Sequence, residues 1–312
     1  MNNENSILIT GACGFVGRYL VNHLLEHNLY QKIIVCCHHQ PVKQQLFSKD
    51  SRLVFVNADL MQPEKYNRII ATHNPNDIIH LAAIARFKQG EENPEDTVKA
   101  NFFGTLELLK PAKQFNAGRF LYVSSNFARN PKGVTGVTKY LTEAYIKSME
   151  APPETISIRL PNVIDSPGAV TLIFKRLIHE NKAITITDKR MTRKFITPRQ
   201  AAKDLLFVLQ NGNHGDLFIN NKPSTPIIRL AEKMIAESGK DIPVKFIGVR
   251  PGEKLQEEDY PQNTILPTAE KNIFRLTENQ HTQKNILHAV ELLNGKISNE
   301  TIVKIKTIFN LK

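Results

Sequence analysis

Short apolar runs punctuate the first half of the chain: ILIT at 7–10, IIVCC at 33–37, LVFVNA at 53–58, DIIHLAA at 77–83 and RFLYVSS at 119–125. Inside each run apolar residues follow one another without polar alternation, the pattern of a strand covered on both faces. The stretches between are longer and mixed, as amphipathic helices require, so strands and helices take turns. Right-handed crossovers wind such a chain into a doubly wound parallel sheet, and the predicted fold class is α/β.

Past about residue 165 the pattern loosens into a helix near 169–180, a basic loop, a helix at 198–211 and a polar stretch at 260–285. Amphipathic spacing returns in ILHAVELL at 286–293 and IVKIKTIFNL at 302–311, expected to be terminal helices packed on a smaller lobe. The expected division is a nucleotide-binding domain at 1–165 and a substrate-binding lobe at 166–312, with some segments of the latter returning to the main sheet.

The first strand runs into GACGFVG. There Gly11 allows a tight turn, Gly14 lets the backbone approach a pyrophosphate, and Gly17 lets the helix opened by Phe15 and Val16 pack on the strand, with phosphate at its N-terminus. This predicts a Rossmann-type dinucleotide site. The GxxGxxG spacing, with Thr10 before the first glycine, resembles the short-chain dehydrogenase/reductase superfamily. A carboxylate ending the second strand would select NAD through the adenosine ribose hydroxyls, but Cys36, Cys37, His38 and His39 stand there. With Lys43 nearby, a 2′-phosphate is tolerated or attracted, which favours NADP and leaves NAD possible.

At 312 residues and 41% hydrophobic, the chain can bury the core of a large domain plus a lobe. MNNENS at 1–6 is polar, and no apolar run nears the ~20 residues that cross a bilayer, so a cytoplasmic protein without signal peptide or anchor is expected. Cys13, Cys36 and Cys37 have neither zinc-site nor disulfide-framework spacing. They read as small buried side chains in a reducing compartment, and no metal site is expected. The charge of +11 is densest from Lys175 to Arg199, including Lys189, Arg190, Arg193 and Lys194, which suits an anionic ligand. No aromatic platform interleaves this stretch, which weighs against nucleic acid and leaves a solvated basic face.

Three further segments are more specific: AAIARFKQGEENP at 82–94, MTRKFIT at 191–197 and GVRPGEKLQEE at 248–258. They resemble the UDP-N-acetylglucosamine 4,6-dehydratase family of bacterial polysaccharide biosynthesis, an extended branch of that superfamily. The match runs from about residue 5 to 260. The resemblance implies that Asp59 and Leu60 lie against the adenine, Ala82 and Ala83 run beside the cofactor, Asn101 belongs to the cofactor site, and Lys139 holds the nicotinamide ribose. It also implies a UDP-sugar, most simply a UDP-N-acetylhexosamine, held by Arg86, Asn162, Arg193, Arg250 and Glu253, and a homo-oligomer. A surface ion pair is the alternative for Arg250 and Glu253.

In the resembled family, acid/base groups come from a Thr-Asp-Lys triplet and a Tyr-x-x-x-Lys motif. Here the triplet is Ser125, Asn126 and Phe127, and the second motif is Thr135 with Lys139. Ser125, Asn126, Thr135 and Lys139 therefore occupy the catalytic positions, with three proton-transfer groups missing. Lys88, Glu91, Glu92, Lys132 and Asp165 are candidate replacements. One reading is an NADP-dependent nucleotide-sugar oxidoreductase of dehydratase, epimerase or reductase type. The other is a catalytically degenerate protein that still binds NADP or UDP-sugar, in which Asn126→Asp, Phe127→Lys and Thr135→Tyr together are expected to recover some chemistry.

Overall fold

The structure is a computed structural model that describes residues 5–38, 44–62, 64–249, 255–277 and 281–311. The first half alternates as the apolar runs predict: β1 (Ser6–Thr10), α1 (Phe15–Glu26), β2 (Lys32–Cys37), β3 (Leu53–Asn57), α2 (Glu64–His73) and β4 (Asp77–His80). Then come α3 (Phe87–Glu92), α4 (Pro94–Val98), α5 (Gly104–Gln114), β5 (Arg119–Ser125), α6 (Val134–Lys147) and β6 (Glu154–Leu160). A π-helical turn at Lys99–Phe103 joins α4 to α5.

The second half adds β7 (Asn162–Val163), α7 (Val170–His179), β8 (Ile184–Ile186), β9 (Thr192–Ile196), α8 (Pro198–Asn211) and β10 (Leu217–Asn220). It continues through β11 (Ser224–Pro226), α9 (Ile227–Ser238), β12 (Val244–Phe246), β13 (Ile265–Pro267), β14 (Ile273–Leu276), α10 (Gln283–Asn294) and α11 (Asn299–Ile308).

The main sheet has the order β13-β14-β10-β6-β5-β4-β1-β2-β3, parallel from β3 to β10 and antiparallel at β14 and β13. Thr10 is level with Cys36 on one side and His80 on the other. Between β1 and β4 the strand order reverses, which opens a crevice at the carboxyl ends of the strands. The unbroken apolar runs have their predicted cause: Ile7, Leu8, Ile9, Ile33, Ile34, Ile78 and Ile79 are all fully buried. One face packs with Leu20 and Leu24 of α1 and Leu205 and Leu209 of α8, the other with Tyr66 and Ile70 of α2 and Leu108 of α5.

Two expectations change. The fourth strand stops at His80, leaving Leu81–Ala83 as loop, because the chain must leave the sheet there to line the crevice. The terminal helices pack on α6 rather than on the smaller lobe: Ile286, Ala289, Leu293, Ile302 and Ile305 meet Val137, Tyr140 and Leu141. Their apolar stripes demanded a partner without specifying which. The lobe is a separate cluster of Phe174, Ile178, Ile184, Ile186, Ile227 and Ala231 around the β8–β12 pair. Among the described residues no helix is long and apolar enough to cross a membrane.

Candidate active site

The turn after β1 is built by its glycines. Gly11 has φ +68°, and a Cβ on it would stand 2.8 Å from the Ala82 nitrogen; one on Gly17 would stand 2.4 Å from the Gly11 oxygen. Larger residues would push β1 from β4 and α1 from the turn. Gly14 caps α1 without a side-chain hydrogen bond, so the first-turn N–H groups remain for an anion. Phe15 and Val16 turn their side chains to the core and leave their backbone to that turn. Beside them the buried Nε of Arg18 has no partner.

Cys13 and Cys37 form a disulfide, with Cα atoms 5.5 Å apart. This corrects the expectation of unpaired thiols: a separation of 24 residues carries no local signal, and only the β1–β2 pairing brings the turn beside the end of β2. Cys36 is free and buried, and burial raises its thiol to about 12. His38 is exposed just after the strand; His39 and Lys43 lie outside the described residues. Asp59 accepts from the Met61 N–H at 2.9 Å, and Leu60 is buried under Gly104 of α5.

Ala82 and Ala83 line the crevice, half-buried, with the Ala82 N–H donating to Thr10 Oγ1 at 3.3 Å. Asn101 is buried. Its carboxamide accepts from the Ile84 N–H at 2.7 Å and donates to the Ile84 oxygen at 3.0 Å, so it holds the loop after β4 in place.

At the end of β5, Ser125 Oγ accepts from the Phe127 N–H at 3.3 Å. Three neighbouring polar atoms are buried without a partner: Ser124 Oγ, Asn126 Oδ1 and Thr135 Oγ1. Lys139, 6% exposed, donates to the Val123 oxygen at 2.9 Å and lies over the Tyr122 ring. Burial lowers its ammonium to about 8, against the opposing charge of Glu143. Phe127 is exposed and packs its ring against Phe87 of α3 at 5.8 Å.

Of the candidate replacement acids and bases, all but Lys132 are engaged by neighbouring groups. Glu91 lies against Gly133 at the start of α6, 3.4 Å from the Thr135 N–H. Lys88 pairs with Glu92, and Asp165 with Lys175. Lys132 is exposed.

Among the residues expected to hold a UDP-sugar, Asn162 Nδ2 donates to the Lys194 oxygen at 3.1 Å and to Glu257 Oε1 at 2.7 Å. Asn126 Nδ2 donates to the other oxygen of Glu257 at 2.9 Å. Arg193 directs Nη1 to the oxygens of Thr192 and Leu255, at 2.8 and 3.2 Å. Arg86 is exposed at the start of α3, and Arg250 and Glu253 lie outside the described residues. Glu257 is the site residue that sequence reasoning missed, although it is the first of the two glutamates closing the quoted GVRPGEKLQEE segment; only the fold brings it to Asn126.

Residues 7–279 match the family described as polysaccharide biosynthesis protein. Similar curated proteins include the capsular polysaccharide biosynthesis protein CapD of Staphylococcus aureus, 30% identical over 97% of this chain and 53% of that protein. Another is the UDP-N-acetylglucosamine 4,6-dehydratase (inverting) of Campylobacter jejuni, 30% identical over 82% of this chain and 78% of that one. Among solved structures, Pen from Bacillus thuringiensis aligns with a TM-score of 0.79 and 26% identity, covering 88% of this chain and 89% of that one. The chain spans about half the length of CapD.

Proposed function

The chain belongs to the polysaccharide biosynthesis protein family, and from that premise we propose that it is a nicotinamide-dinucleotide-dependent oxidoreductase acting on a UDP-sugar, most simply a UDP-N-acetylhexosamine. The reaction is of the 4,6-dehydratase or 4-epimerase type. The observation that carries the reading is the pair of buried, unpartnered polar atoms Ser124 Oγ and Asn126 Oδ1 at the carboxyl end of β5, with unpartnered Arg18 Nε beside the glycine turn. Buried polar atoms without partners are costly, and a polar ligand spanning the crevice satisfies both ends.

These residues fit a dinucleotide. The Gly11–Gly17 turn and Arg18 would hold its pyrophosphate, Asp59 and Leu60 its adenine end, and Lys139 its second ribose. When bound, the dinucleotide supplies a hydride acceptor for a sugar carbon. Lys139 brings a positive charge that stabilises an ionising hydroxyl near it, while Ser124 can donate to a sugar oxygen. NADP is the preferred form, because β2 ends in a cysteine engaged in a disulfide and not in a carboxylate. The protein used alone as a binding protein is the second reading, favoured by the amide at Asn126 and the weakly acidic hydroxyl at Thr135.

The test is a proton NMR time course with UDP-N-acetylglucosamine and NADP, repeated with NAD. A new high-field methyl doublet marks loss of oxygen at carbon 6, and a changed anomeric signal marks epimerisation. An unchanged sugar with saturable UDP binding supports the second reading. An unchanged sugar with binding of neither UDP nor the dinucleotide overturns both.

A further inference from the structure

The resembled family keeps an aspartate where this chain has Asn126, and the deficit looks like a lost acid. The fold returns one from 131 residues away. Glu257 is half-buried, one oxygen accepting from Asn126 at the end of β5 and the other from Asn162 just past β6. Its carboxylate is thereby held between adjacent strand ends, at the crevice mouth where Asn126 Oδ1 is buried without a partner.

The segment carrying it is fastened on both sides. The Leu255 oxygen accepts from the Thr192 N–H at 3.0 Å, and Arg129 donates to the oxygens of Glu258 and Asp259. Arg159, 1% exposed and paired with Glu143, reaches the Tyr260 hydroxyl at 3.3 Å. The neighbouring acids are matched with cations: Glu258 lies 3.9 Å from Arg129, and Asp259 lies 2.7 Å from Lys194. Glu257 differs, since its partners among the described residues are two neutral carboxamides. Each carboxylate oxygen has a second lone pair, so both can still accept from a ligand hydroxyl.

Resting on the UDP-sugar reading above, we propose that Glu257 is the catalytic carboxylate of the sugar subsite, positioned by Asn126 and Asn162. It accepts a hydroxyl of the bound sugar and takes its proton as that carbon is oxidised. In the step the O–H bond breaks and its proton goes to Glu257. The C–H bond breaks and its electron pair leaves as hydride to the oxidised nicotinamide dinucleotide, and the carbon–oxygen bond becomes a carbonyl. The sugar is oxidised and the dinucleotide reduced. The substitution of Asn for Asp at 126 then has a physical sense: a second carboxylate so close would repel Glu257, whereas an amide donates to it.

The test compares wild type, Glu257→Gln and the double variant Asn126→Asp/Glu257→Gln in calorimetric titrations with UDP and with UDP-N-acetylglucosamine. UDP affinity is expected to be the same in all three, while affinity for the UDP-sugar falls about tenfold in Glu257→Gln, the loss of one charge-assisted hydrogen bond, and recovers in the double variant. Turnover falls ~10²- to 10⁴-fold in Glu257→Gln and recovers in part in the double variant. Equal UDP-sugar affinity in wild type and Glu257→Gln overturns the proposal and leaves the UDP-sugar reading standing. A parallel loss of UDP binding makes Glu257 structural and overturns it too. Failure of the wild type to bind either ligand overturns the UDP-sugar reading, and this assignment with it.

Discussion

Thr135 is 1% exposed, and a Cβ on Gly90 would stand 2.0 Å from its hydroxyl oxygen, so α3 closes directly over the position where the resembled family carries tyrosine. A phenol ring has no room there unless α3 moves. Restoring tyrosine is therefore not the simple repair that the motif suggests: Thr135→Tyr is expected to lose about 1–3 kcal/mol of stability, as overpacked cores do, read as a lower urea midpoint with the slope unchanged. A variant as stable as the parent would show that α3 yields easily and that the family's phenol could be accommodated. The glycines were legible in sequence because each answers a local need of the turn. The Asn126–Glu257 pairing was not, since nothing local to either residue refers to the other. Asn101 shows the same limit: its type and place were readable, but whether its amide faced ligand or the Ile84 backbone depended on the loop around it.

The disulfide couples two elements beside the crevice, the turn before α1 and the end of β2. Closing a loop with 24 residues of separation stabilises the folded chain by about 3 kcal/mol through restriction of the unfolded state. Thiol titration in denaturant is expected to find one thiol per chain before reduction, Cys36, and three afterwards. Cys37→Ser and reduced wild type should melt at a similar, lower temperature than the oxidised wild type. Three thiols before reduction would remove the bond from the protein as prepared. At this scale the strands were readable because burial on both faces leaves an unbroken apolar run. The docking of α10 and α11 was not, because an apolar stripe fits any apolar partner, and α6 needed cover on the side away from the sheet.

Protonation connects the crevice to the stability of the whole molecule through His80, 1% exposed on β4. One ring nitrogen lies 2.6 Å from Thr10 Oγ1 and the other 2.9 Å from Thr105 Oγ1. Thr105 donates its own proton to the Asn101 oxygen at 2.8 Å, so it must accept from Nε2, which leaves Nδ1 to accept from Thr10. The network suits the neutral ring, and burial, aided by the charge of Lys139, lowers its pKa to about 3. Because the folded pKa lies below the ordinary imidazole value of 6.5, the unfolded chain binds the extra proton first. This group's contribution is thus intact above about pH 6.5 and is lost as pH falls from there toward 3. Between pH 7 and pH 5 the loss is about 2 kcal/mol from this one side chain. General repulsion from the +11 charge also grows with acid but is shared by any variant of the same fold. Urea unfolding of wild type and His80→Asn at both pH values separates the two: the variant starts less stable, yet should lose about 2 kcal/mol less over the interval. Equal losses would mean that the ring is reached by protons in the folded state, and that the bond from Ala82 to Thr10, which sets the crevice wall, does not depend on a neutral His80.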